Sequence, residues 1–166
     1  EQTQEFGRGE PVMIVSADKD FIQLQRYSNV KQFSPMTKAL VKDPNPTRYL
    51  QEHVLGGDKG DGVPNVLSAD DVFVSGGRQT PLRAKVIDEW VNNWDKLDTV
   101  MTTEQYRNFQ RNQRLIDLSF IPAQKKSEII NTTATVRTGN NTLNYLISKR
   151  CTQLIECAAE FNSSTL

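Results

Sequence analysis

Four aspartates in two short loops carry the most pointed chemistry in this sequence. Asp18 and Asp20 directly follow the apolar run Pro11–Ala17, and Asp58 and Asp61 lie in the glycine-rich stretch Gly56–Val63, forty residues further on. Paired carboxylates suit hard cations: Mg²⁺ and Mn²⁺ take oxygen ligands and accept few soft ones. The rest of the sequence agrees, because it holds a single His, and its two cysteines, Cys151 and Cys157, have no metal-ligand spacing and no neighbouring His. Each pair also has a purely structural explanation. Asp18 and Asp20 can cap a helix that starts near Phe21 and meet its dipole, and Asp58 and Asp61 can close a tight turn among glycines. A calcium-binding EF-hand is excluded, since Ile22 stands at the fifth loop position counted from Asp18 and no Gly follows it. His53, alone in its segment, reads as structural or solvent-facing.

The elements that must position these loops follow from the pattern around them. Pro11–Ala17 reads Pro-Val-Met-Ile-Val-Ser-Ala, the signature of a parallel strand buried on both faces. Such a strand delivers the residues that follow it to the active edge of an α/β sheet. Short strands are expected at Val30–Phe33 and Ala39–Val41. Helices are expected at Phe21–Tyr27, Pro46–Leu55, Pro81–Val91, Trp94–Met101, Thr103–Asp117, Pro122–Asn131 and Thr142–Phe161, the last broken near Cys151. Trp90, Trp94, Tyr106 and Phe109 recur at spacings that suit helix packing and read as core. One buried strand without a preceding βα unit is an incomplete sheet. Together with a start that lacks Met, this predicts the C-terminal part of a longer protein.

Composition bounds the partners. With 37% hydrophobic and 24% charged residues over 166 positions, the chain can bury a core and is no disordered tail. No apolar run approaches membrane-spanning length, so a membrane partner is not expected. The formal net charge is zero, yet it is unevenly spread. Glu1–Met101 nets −3, Thr102–Arg150 nets +5, and the last sixteen residues net −2. The basic middle, with Arg107, Arg111 and Arg114 on one expected helix, is either a solvated face or a phosphate-binding one. The cysteines read as reduced core residues of a cytoplasmic protein.

The stretches Ser16–Leu24 (SADKDFIQL), Val30–Pro35 (VKQFSP) and Leu55–Val66 (LGGDKGDGVPNV) resemble the structure-specific 5′-nuclease family, most of all its ribonuclease H members from T-even bacteriophages. The run Tyr106–Pro122 resembles that branch as well. The resemblance covers residues 10 to 160, closely to Val66 and loosely beyond. It implies a PIN-like α/β fold, with residues 1–45 the remnant of the nuclease domain and 46–166 a helix–hairpin–helix-like DNA-binding module with a C-terminal helical region. It further implies that Asp18, Asp20, Asp58 and Asp61 are catalytic metal ligands for two Mg²⁺ or Mn²⁺ ions in the intact parent. Gly57, Lys59, Gly60, Gly62, Val63 and Asn65 of the hairpin, with Arg107, Arg111 and Arg114, would then grip duplex DNA through its backbone. The implied function is a 5′→3′ exonuclease and flap endonuclease acting on duplexes with a 5′ flap, nick or RNA primer in phage-type replication, beside replication-fork proteins in the cytoplasm of an infected bacterium. The family's N-terminal aspartate-bearing strand, the basic residues of its helical arch and its acidic cluster have no counterpart here, so the isolated chain is expected to be weak or inactive. The segment after Asn65, Val-Leu-Ser-Ala, also lacks the Gly-x-Gly of polymerase-type members, and with it their monovalent-ion site.

Two other readings use the same aspartates. A haloacid dehalogenase-type phosphatase also places Asp-x-Asp after a strand, but Phe21 and Ile22 occupy its expected turn, and the chain after Val66 reads as helical with no further sheet. A non-catalytic module that binds branched duplex would keep the hairpin and basic helices without a complete metal site.

Overall fold

The computed structural model describes residues 9–135 and 142–159. They fall into two compact units, Glu1–Ile121 and Pro122–Leu166.

The first unit opens on a three-stranded sheet in the order β1 (Val12–Val15), β2 (Val30–Ser34), β3 (Ala39–Val41). β1 and β2 run parallel, with Val12 opposite Val30 and Val15 opposite Phe33, and β3 returns antiparallel with Leu40 opposite Phe33. A parallel pair needs a crossover. Here it is a 3-10 helix, Lys19–Arg26, packed against β2 and the first α-helix. Buried Gln23 anchors it, donating to the Ile116 carbonyl at 3.1 Å and accepting from the Leu118 N–H at 3.0 Å.

The expectation that the first strand is buried on both faces fails. Val12 and Ile14 are half-buried, but Met13 and Val15 are 52% and 66% exposed. The 3-10 helix covers one face of the sheet, and among the described residues nothing comparable covers the other. An apolar run records that a strand can be buried twice, not that both covers are present. The fold is therefore mixed, with a small sheet and a larger helical part.

Helix α1 (Pro46–Gly56) starts where Asn45 accepts from the Arg48 N–H at 3.0 Å and Pro46 takes the first turn. It ends at Gly57, whose φ of +70° breaks the helical path. Beyond the hairpin come α2 (Ala84–Asn92), the short α3 (Leu97–Val100) and α4 (Thr103–Ile116). A capping box between Thr102 and Gln105 starts α4. The core lies among these helices: Val54 and Leu55 of α1, Trp90, Leu97 and Phe109 are all buried. The Trp94 ring meets Phe109 edge-on at 5.2 Å, and Tyr106 stacks on Phe109 at 5.8 Å, so the aromatic residues serve packing.

The second unit holds α5 (Ala123–Thr135), α6 (Thr142–Ser148) and α7 (Thr152–Ile155). The last long helix is indeed interrupted before Cys151, where Arg150 adopts φ +55°. Cys151 and Cys157 are free thiols, half-buried and outside the core. Arg137 and Phe161 lie outside the described residues. No helix among them is long and apolar enough to cross a membrane.

Candidate metal centre

The first aspartate loop is fixed from behind by β2. Gln32, almost fully buried, donates to the carbonyls of Ser16 at 3.0 Å and Asp18 at 2.7 Å. Within the loop the Asp18 N–H donates to Ser16 Oγ at 3.1 Å, and Asp18 Oδ1 accepts from the Asp20 N–H at 3.0 Å. Asp18 thus caps the 3-10 helix, the structural role foreseen for it, and Asp20 sits in its first turn.

The second loop is a closed hairpin. Asp58 and Val63 form an antiparallel bridge, with the Val63 N–H donating to the Asp58 carbonyl at 2.7 Å. Asp58 Oδ1 accepts from the N–H of Gly60 at 2.7 Å and of Asp61 at 3.2 Å, while Gly62 N–H closes on the Lys59 carbonyl at 3.3 Å. The amides of residues 60 to 63 therefore point into the hairpin. The side chain of Asp58 organises the turn as well as facing the first loop. Gly57 has to be glycine: beyond its positive φ, a Cβ there would stand 2.5 Å from the carbonyl carbon and oxygen of Pro64.

His53, on the last turn of α1, joins the loops. Its Nε2 lies 3.1 Å from Asp58 Oδ2 and its Nδ1 3.7 Å from Asp20 Oδ1. Tyr49, one turn earlier, meets the imidazole edge-on at 5.8 Å. One ligand atom from each of Asp20, His53 and Asp58 falls within 4.8 Å of the others, a spacing that one cation can bridge. The sequence alone reads His53 as structural or solvent-facing, whereas the fold sets it between the two loops. The available signal was its place on the helix turn that runs into the hairpin.

The other two aspartates, Asp18 and Asp61, lie outside that three-residue group and reach it through their charge on Asp20. Partial burial raises the Asp20 carboxyl above its ordinary value; Asp18, Asp58 and Asp61 add to the rise, and His53 opposes it. Burial also pushes Asp58 up, but the Asp61 amide, the His53 ring and the Gly60 amide together outweigh it and hold this carboxyl low. Asp20 therefore feels the other three carboxylates, and that crowding is a field that a divalent cation relieves. The donors are carboxylate oxygens plus one imidazole, a set that fits a divalent cation.

The residues expected at DNA are placed unequally. Lys59, Gly60 and Gly62 are exposed at the hairpin tip, and Arg114 is exposed on α4. Val63 is buried in the core, and Gly57 is pressed against Pro64. Asn65 is buried too, accepting from Leu67 N–H at 3.0 Å and Ser68 Oγ at 2.8 Å. Arg107 and Arg111 both pair with Asp70.

A protein family described as T4 RNase H, C terminal, matches residues 47–161, which takes in the hairpin and the helices after it. Ribonuclease H of Enterobacteria phage T4 is 33% identical over 128 residues, covering 74% of this chain and 42% of the phage protein. The chain thus spans less than half the length of that relative.

Proposed function

This chain belongs to the family of the T4 RNase H C-terminal region, and from that premise we propose that it carries the metal-binding edge and the DNA-gripping hairpin of a 5′-nuclease with a PIN-like fold. The proposed activity is divalent-metal-dependent 5′→3′ exonuclease and flap endonuclease cleavage at 5′ flaps, nicks and RNA primers, in phage-type replication within an infected bacterium. The observation that carries the reading is the convergence of two separate aspartate loops on His53.

Asp20, Asp58 and His53, with Asp18 and Asp61 beside them, are the residues that would hold the ions. Bound Mg²⁺ or Mn²⁺ supplies charge neutralisation and Lewis acidity at a phosphodiester. The chain's own residues do the rest. Gln32 and the Asp18 cap hold the first loop against β2, the Asx turn at Asp58 holds the second, and His53 keeps Asp20 and Asp58 facing each other. Lys59 at the hairpin tip offers a phosphate a point charge, since the amides of residues 60 to 63 are turned inward.

A non-catalytic module for branched duplex is the second reading. It is favoured by the carboxylate oxygens that backbone amides already occupy: Asp18 Oδ1 accepts from the Asp20 N–H, and Asp58 Oδ1 from the N–H groups of Gly60 and Asp61. Cleavage of a labelled 5′-flap duplex with Mg²⁺, beside binding of the same duplex in Ca²⁺, separates the two. Metal-dependent cutting that an Asp18→Asn, Asp20→Asn variant loses supports the nuclease, whereas undiminished cutting by that variant contradicts this site.

A further inference from the structure

A buried polar network ties α4 to the hairpin. Asn112 is 0% exposed and donates from Nδ2 to the carbonyls of Val54 at 2.9 Å and Pro64 at 2.8 Å. Arg111 donates to the same Pro64 carbonyl at 3.0 Å and from Nε to Asn112 Oδ1 at 2.9 Å, and it pairs with Asp70 on its outer side. Asn108, on the same helix face, reaches the carbonyls of Val66 at 3.1 Å and Ser68 at 3.2 Å. Among the described residues no buried side-chain polar atom lacks a partner, so this network is fully satisfied.

Apolar packing alone could seat the hairpin, because Leu55, Val63, Val66 and Phe109 already meet in the core. Valine contacts tolerate sliding, whereas directional bonds to one carbonyl do not, and a fully satisfied buried polar network rigidifies what it holds. The carbonyl they hold is that of Pro64, the backbone that stands against Gly57, and Gly57 directly precedes Asp58. We propose that Arg111 and Asn112 are positioning residues of the metal centre. By clamping the Pro64 carbonyl against Gly57, they set the height of the hairpin and so the approach of Asp58 to His53 and Asp20. Arg111 then acts through the protein and not on a DNA phosphate. This inference rests on the metal-site reading above.

The experiment uses the chain as it stands, with Mn²⁺ as probe followed by its paramagnetic resonance, amide hydrogen exchange, and 5′-flap duplex affinity measured in Ca²⁺. In Arg111→Gln, Mn²⁺ binding weakens by roughly tenfold or more. Exchange speeds up at Gly60, Asp61 and Val63 but not across the β1–β2 pair, and duplex affinity falls less than Mn²⁺ affinity. Arg111→Lys keeps the charge but cannot reach Pro64, Asn112 and Asp70 together, so it resembles Arg111→Gln in every readout. Asn112→Ala shows the same Mn²⁺ loss in its folded fraction. The proposal is overturned if Arg111→Lys restores Mn²⁺ affinity, or if duplex affinity falls while Mn²⁺ binding and hairpin exchange hold. It is equally overturned if Asn112→Ala only lowers the melting temperature. An unsubstituted chain that binds no Mn²⁺ removes the metal reading itself, and that result is visible before any residue is changed.

Discussion

Single residues decide whether the two loops can meet. Gly57 is the least replaceable. Gly57→Ala combines a left-handed φ with a collision against Pro64 backbone, and is expected to cost about 3–5 kcal/mol in urea unfolding. Gly62 has a similar φ, +77°, but open space around it, so Gly62→Ala is expected to cost only about 1–2 kcal/mol. Equal losses would mean that φ alone matters and that the Gly57–Pro64 approach does not. Asp20 behaves in the opposite sense. Partial burial and three neighbouring carboxylates already disfavour its charge, so Asp20→Asn should melt no lower than the parent chain while Mn²⁺ affinity drops by orders of magnitude. A marked fall in melting temperature would show that Asp20 is kept for the fold.

At the scale of elements, α1 serves as both core helix and site carrier. It buries Leu50, Val54 and Leu55 on one side, brings His53 to the carboxylates and ends at Gly57. Removing its start with Asn45→Ala is expected to cost about 1 kcal/mol by thermal or urea melts. An unchanged stability would mean that Pro46 and tertiary packing hold the first turn alone. This start was legible in sequence from Asn45-Pro46, as α4 was from the periodicity of Thr103–Asp117, and β3 was read at its observed bounds because turn residues frame it. What could not be read were relations across the fold. The alternation of exposure in β1 depends on which faces are covered. A lone His carries no spacing signal, so His53 emerged only when α1 pointed it between two loops. Arg107 and Arg111 read as a basic face until Asp70, thirty-seven residues before Arg107, came to lie beside both.

Across the whole molecule, a neutral chain can still bind a polyanion through cations that no carboxylate pairs. Lys59 and Arg114 are exposed and make no ion pair among the described residues. Replacing either by Ala should lower duplex affinity similarly for all sequences and reduce its salt slope by about 1. A loss confined to one base sequence would contradict backbone recognition. The larger claim is that Asp18–Asp20 and Asp58–Asp61, forty residues apart, form one metal centre. It is tested most directly by Mn²⁺ titration of four proteins: the parent chain, an Asp18→Asn, Asp20→Asn variant, an Asp58→Asn, Asp61→Asn variant, and the chain with all four changes. One shared centre predicts that either pair alone abolishes most of the binding and that combining them adds little. Losses that multiply independently, or binding that survives either pair of changes, would contradict it.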